Sequence, residues 1–209
     1  MRAANLLLPL IALLAPACHW ERAPAKKPIN SYLADPRDLA NVRRIIVLPF
    51  TEEAGIRADL KRMRETFLAE LAKLRRFEIV PLPQEAEEDE VLNRTLHLGR
   101  LSTQAMVSVC ERYHVDGVLF ANVTSWRPYK PPILGLRTQL LSVHSGATVW
   151  ATDVLYDCTD RSTIADLKHY DQHVEAADAT MHGWEMLLIA PTMFAAYVAH
   201  RVVGTWIED

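Results

Sequence analysis

The run Arg43-Arg44-Ile45-Ile46-Val47-Leu48-Pro49-Phe50 holds four aliphatic residues in a row, the pattern of a strand buried on both faces. Such a strand belongs inside a sheet. From Asp59 to Arg75 the residues Leu60, Met63, Phe67, Leu71 and Leu74 recur at helical spacing, while Lys61, Arg62, Glu65, Glu70 and Lys73 fill the opposite face. This spacing predicts an amphipathic helix lying on the sheet. A short strand follows at Phe77 to Pro81, and a strand, helix and strand of this size favour a right-handed parallel crossover. Met106, Val109, Cys110 and Tyr113 mark the apolar face of another helix. After a turn at Asp116-Gly117, Val118 to Thr124 again reads as a strand apolar on both faces.

Two longer strands come next, Ile133 to Val143 and Thr148 to Asp157, joined through His144-Ser145-Gly146. A three-residue loop ending in a left-handed glycine gives a hairpin with a bulge, and it sets the register. Leu140 then faces Trp150, Leu136 faces Val154 and Leu134 faces Tyr156, while Arg137 faces Asp153 on the other side. Ser162 to Ala177 reads as a polar helix, and Pro191 opens a last one carrying Phe194, Val198, Val202 and Ile207. The apolar stretch Met186 to Ala199 falls short of the roughly 20 residues that cross a bilayer, so it is read as a core helix. The fold class expected is α/β. Its mixed five-stranded sheet comprises two βα units and then an antiparallel meander, packed by amphipathic helices with a helix at the C-terminus.

The first residues follow a different rule. Arg2 precedes an apolar stretch from Leu6 to Ala15, and Ala15-Pro16-Ala17-Cys18 follows, which is the order of a secretory signal peptide. A cysteine directly after small residues resembles a bacterial lipobox, with Cys18 as the lipid attachment site and mature N-terminus. Ala15-Pro16-Ala17 also reads as an A-x-A site whose cleavage would release a soluble secreted or periplasmic protein from the same point. The segment that follows contains Pro24, Pro28 and Pro36 and little apolar periodicity, so it is read as extended. The expected organisation is a signal peptide over 1–17, a lipid-anchored extended tether over 18–40 and one α/β domain over 41–209. His19 after the cysteine, in place of an Asp that would retain a lipoprotein at the inner membrane, favours the outer membrane facing the periplasm.

Composition narrows the partners. The 209 residues carry 23 Lys and Arg against 26 Asp and Glu, a formal net charge of −3, with no basic footprint for nucleic acid. Neither a GxxxxGK[ST] nor a GxGxxG string occurs, so the usual phosphate cradles and nucleotide cofactors are not expected.

Candidate chemistry is sparse. Asp166, His169 and His173 would share a helix face and could ligate a divalent metal, which defines the alternative reading, a metal-dependent hydrolase using the His169/His173 region. The competing reading, a polar helix face holding no metal, is preferred. Asp153, Asp157 and Asp160 form a possible carboxylate cluster, but their positions beside Arg137 and at strand ends suit structural roles better. The run Glu85 to Glu90 is read as a solvated acidic connection. Cys110 and Cys158 either pair, as export permits, or serve as two small buried residues. The most distinctive segment is Trp126-Arg127-Pro128-Tyr129-Lys130-Pro131-Pro132. Trp126, Arg127, Tyr129 and Lys130 suit partner binding on a proline-stiffened loop, unless the aromatic rings only close the end of the core.

The string Arg44-Ile45-Ile46-Val47-Leu48-Pro49-Phe50, then an amphipathic helix, Phe77-Glu78-Ile79-Val80 and Tyr113-His114-Val115-Asp116-Gly117-Val118-Leu119, resembles the N-terminal-TolB-like or LpoB/CsgG-type periplasmic lipoprotein domain. Leu140 to Val143, Gly146 and Val149-Trp150 are similar to that family's hairpin, and Asn122 stands where the pattern has a small residue. The resemblance covers about residues 42 to 157. It implies a non-enzymatic envelope lipoprotein that works through protein partners, compatible with self-association, anchored to the membrane by its lipidated N-terminus and needing no cofactor. Labelled fatty acid should be incorporated into the chain and lost in Cys18→Ser. Incorporation that survives the substitution, or is absent from the parent, refutes attachment at Cys18.

Overall fold

A computed structural model describes residues 26–83, 103–174 and 183–206. The leader, Cys18 and the acidic run Glu85 to Glu90 lie outside the described residues. Within them the chain forms β1 (Asn30–Leu33), α1 (Pro36–Asn41), β2 (Arg44–Val47), β3 (Thr51–Glu52), α2 (Leu60–Lys73) and β4 (Glu78–Val80). Then come α3 (Thr103–Tyr113), β5 (Gly117–Arg127), β6 (Ile133–Ser142), β7 (Thr148–Asp157), α4 (Arg161–His173), a 3₁₀ turn (Gly183–Leu188) and α5 (Pro191–Gly204). The strands make one mixed sheet in the order β1-β7-β6-β5-β2-β4, with β3 beside β5.

The expected plan is present. β2 runs parallel to both β4 and β5, and β5, β6 and β7 form the antiparallel meander. The sheet has seven strands rather than five. The two additions are β1 and the two-residue β3, both too short and too polar to carry an apolar period. β1 also corrects the reading of residues 18–40 as extended tether throughout, because Asn30–Leu33 pairs antiparallel with β7. Backbone hydrogen bonds hold such an edge strand without alternating apolar side chains, so its sequence looks like a linker.

The aliphatic run in β2 serves two cores at once. Ile45 and Val47 join the main cluster, and Ile46 joins Leu48 in a second one. The main cluster lies between the sheet and α2, α4 and α5, and includes Phe67, Leu71, Trp150, Tyr156, Leu167, Phe194 and Tyr197. The second is roofed by Met106, Val109 and Cys110 of α3 over Val118 and Phe120. Cys110 and Cys158 are free thiols in different clusters, and burial pushes them up to about 11 and about 12.

The hairpin register matches the expected one, with Leu140 opposite Trp150, Leu136 opposite Val154 and Leu134 opposite Tyr156. Gly146 has φ +65°, and the register shifts by a bulge after Leu140. On the outer face the Arg137 guanidinium donates to Asp153 Oδ2 at 3.0 and 3.1 Å, an exposed pair worth less than about 1 kcal/mol.

Two polar groups sit within the helical layer. Asp166 on α4 and Arg201 on α5, 1% and 8% exposed, meet at 2.9 Å, and the Tyr197 hydroxyl donates to the same carboxylate oxygen at 3.1 Å. Between α2 and α5, buried Glu70 accepts from Lys73 and faces His200 Nδ1 at 3.3 Å. Burial alone would push the Glu70 carboxyl up, but the bonds from His200 and Lys73 outweigh it and hold its pKa below 4.5. A depressed carboxylate stabilises the fold above its unfolded pKa, and that contribution fades as pH falls through the lower folded value. Glu70→Gln should therefore cost about 1–2 kcal/mol in chemical denaturation near pH 7, and the gap to the parent should close below about pH 4.5. A gap that widens on acidification contradicts the assignment.

Candidate functional site

The loop between β5 and β6 begins where β5 bends. The register slips between Val123 and Ser125, and Gly135 sits opposite the slip. A Cβ on Gly135 would lie 2.4 Å from Thr124 Oγ1 and 3.0 Å from the Ser125 amide nitrogen, so the two strands approach closely only because this residue is glycine. The bulge swings the end of β5 toward the starts of α2 and α5. Trp126 is half-buried there, packed against the main core, and lines a small apolar cavity of about 40 Å³ with Met63, Thr66, Pro191 and Ala195.

The four loop residues singled out in the sequence then part company. Trp126 closes the end of the core. Arg127 Nε donates to the Pro131 carbonyl at 2.8 Å, and its Nη2 lies 3.9 Å from Asp157, so the guanidinium braces the loop. Pro131 follows a cis peptide bond and Pro132 is buried. Tyr129, 79% exposed, and the exposed Lys130 project from this braced turn. The geometry thus joins both readings of the segment: one ring belongs to the core, the other to the surface. The sequence carried no signal that would separate the two rings, since the bulge that aims them depends on the Gly135 contact across the strands.

The proposed metal triad is not assembled. His169 and His173 stack with ring centroids 4.1 Å apart, and His173 Nδ1 is 2.8 Å from the His169 carbonyl. Asp166 points instead into the α4–α5 interface toward Arg201 and Tyr197. Two helical turns, about 10 Å of rise, separate it from His173. Among the described residues no group of three His, Cys, Asp or Glu could hold a metal ion. The three carboxylates at the end of the meander are also engaged: Asp153 with Arg137, Asp157 accepting from the Thr159 amide and hydroxyl, and Asp160 capping α4 through Ser162. Those bonds hold Asp157 and Asp160 below the usual carboxylate range. Among the described residues no helix is long and apolar enough to cross a membrane.

No family model and no curated protein matches the sequence. Among solved structures, the chain is similar to the PelC dodecamer from Paraburkholderia phytofirmans, at 14% identity over 66% of this chain and 89% of that one, with TM-score 0.43. It is similar to the LpoB C-terminal domain from Salmonella enterica at 14% identity over 56% and 84%, TM-score 0.41. The hypothetical protein CT253 from Chlamydia trachomatis shares 9% identity over 78% and 96%, TM-score 0.44. Likenesses this distant carry no residue roles across, and the loop stands on its own geometry.

The division of the loop sets opposite expectations for its two rings. Trp126→Ala should lower stability by about 2–3 kcal/mol in denaturant titration, because it empties a half-buried core position. Tyr129→Ala should change it by less than about 0.5 kcal/mol. Equal losses at the two positions would place both rings in the core.

Proposed function

We propose that this chain is exported and held at the cell envelope through lipid on Cys18, where it acts as a non-catalytic module that binds an envelope protein partner through Tyr129 and Lys130. The observation that carries the reading is the exposed tyrosine on a turn braced by Arg127 and three prolines. Such a ring presents a large contact area, and ordering it on binding costs little because the turn is already rigid. The leader ending at Cys18 and the resemblance of residues 42 to 157 to periplasmic lipoprotein domains support the address. The proline-containing segment after Cys18, read from the sequence as a tether, supports a domain held off the membrane surface, and at up to about 3.5 Å per residue the stretch to Lys26 spans at most about 30 Å. Facing the periplasm from the outer membrane is the placement favoured by His19, and the same loop is compatible with self-association.

A photo-crosslinking residue at position 129 should give a discrete adduct in intact cells, and the same probe at Ala72, exposed at the far, C-terminal end of α2, should not. Lys130→Glu should reduce the adduct at 129 without changing the melting temperature. Adducts of equal yield and pattern from both positions, or none from position 129, would remove the loop from the functional account.

A further inference from the structure

The N-terminal edge of the sheet is held at few points. β1 is the outermost strand beyond β7, and its four residues are exposed or half-buried, so it rests mainly on backbone pairing. Ile29, Leu33 and Ala34 give it partial contact with the main core. Before the strand the packing opens: a hollow of about 320 Å³ is lined by Lys27, Pro28, Ile29 and Ser31 on one side and by Arg201 and Thr205 on the other. Packed interiors hold few voids larger than a water molecule, so the chain bridges this hollow instead of lying on α5.

One residue fastens the segment at its start. Lys27 Nζ donates to the Leu155 carbonyl at 3.0 Å and to Thr163 Oγ1 at 2.8 Å, lies 3.5 Å from Asp160 and stands 5.3 Å from the centre of the Tyr156 ring. Its carbonyl accepts from Arg201 Nη2 at 3.0 Å. At the other limit the Ala34 amide donates to the Val149 carbonyl at 2.9 Å, and Asp35 then caps α1, whose Leu39 is buried in the main core. The segment thus runs from a polar clasp to a fixed hinge. Opening it would leave the buried ion pair in place, because Arg201 keeps Asp166, and would leave α4 capped, because Asp160 keeps Ser162.

We propose that residues 27–34 form a strap, clasped by Lys27, that releases from β7 as one unit while the rest of the domain stays folded. Release bares the β7 edge. It also lengthens the chain between Cys18 and the domain, from at most about 30 Å at Lys26 to at most about 60 Å at Asp35. The gain in reach rests on anchoring at Cys18, whereas the release itself does not.

β7 supplies its own reference for the test, because amides along an antiparallel strand alternate between its two neighbours. The Cys158 amide donates to the Pro132 carbonyl, which places those of Val154 and Thr152 on β6. The Ala151 and Asp153 amides therefore face Tyr32 and Asn30 of β1. Hydrogen exchange is followed by amide resonances in the full chain carrying Cys18→Ser, so that a negative result concerns the strap and leaves anchoring untouched. Tyr32, Ala34, Ala151 and Asp153 should share one protection factor, about a hundredfold below that of Thr152 and Val154. Lys27→Met should lower the shared value about tenfold or more, the scale of hydrogen bonds made by a charged group, and should move Thr152 and Val154 less than about twofold. Protection graded from Asn30 to Ala34, with Lys27→Met felt only near its start, shows ordinary fraying and overturns the proposal. Strap protection equal to that of Thr152 and Val154 overturns it as well, as does a Lys27→Met chain in which both sets fall together.

Discussion

The helical layer of this protein is organised around one buried ion pair. Asp166 and Arg201 are both withdrawn from water, and a charge in that environment persists only if its partners satisfy it. Asp166 receives Arg201 and the Tyr197 hydroxyl, and Arg201 reaches on to the Lys27 carbonyl. Two helices and the segment that precedes the edge strand are therefore tied to one point. Removing either member would leave the other uncompensated, a loss of about 3–5 kcal/mol. Around the pair the packing is aromatic: Tyr197 meets Tyr156, Tyr170 and Phe194 with ring centroids 5.2 to 6.0 Å apart.

The same constraint explains why the segment from Lys27 onward becomes part of the domain earlier than its composition suggests. Lys27 is captured from both directions, its carbonyl by Arg201 and its ammonium by β7 and α4. β1 then continues the sheet beyond β7. An edge strand in this place also covers backbone that β7 would otherwise present to solvent.

Further into the same sheet, where β5 meets β6, the controlling element is backbone geometry. The slip in β5 opposite Gly135 sends Trp126 inward against α2 and α5. The chain that follows is braced by Arg127 and leaves Tyr129 outside. A residue pair that looks uniform in sequence, two aromatics three positions apart beside prolines, is in this way divided between core and surface. The helix bearing His169 and His173 shows the reverse. Three potential ligands share a helical period, yet the core-facing edge of α4 passes through Asp166 and turns its carboxylate toward Arg201.

What could be read from the sequence was whatever depends on local periodicity. The two-sided aliphatic run of β2, the amphipathic face of α2 and the Pro191 start of α5 each encode burial along a single element. The hairpin belongs with them, because a short loop with a left-handed glycine carries its register into both strands. The signal-peptide order expected before Cys18 is likewise a linear pattern, read by composition and order. Long-range encounters were set by the tertiary structure alone: β1 on β7, Asp166 on Arg201, Lys27 on α4, and Trp126 on the α2–α5 end of the core. The physical reason is that a polar side chain's role is decided by the partner that replaces its water. Those partners stand up to 174 residues away in the chain, beyond the reach of any local pattern.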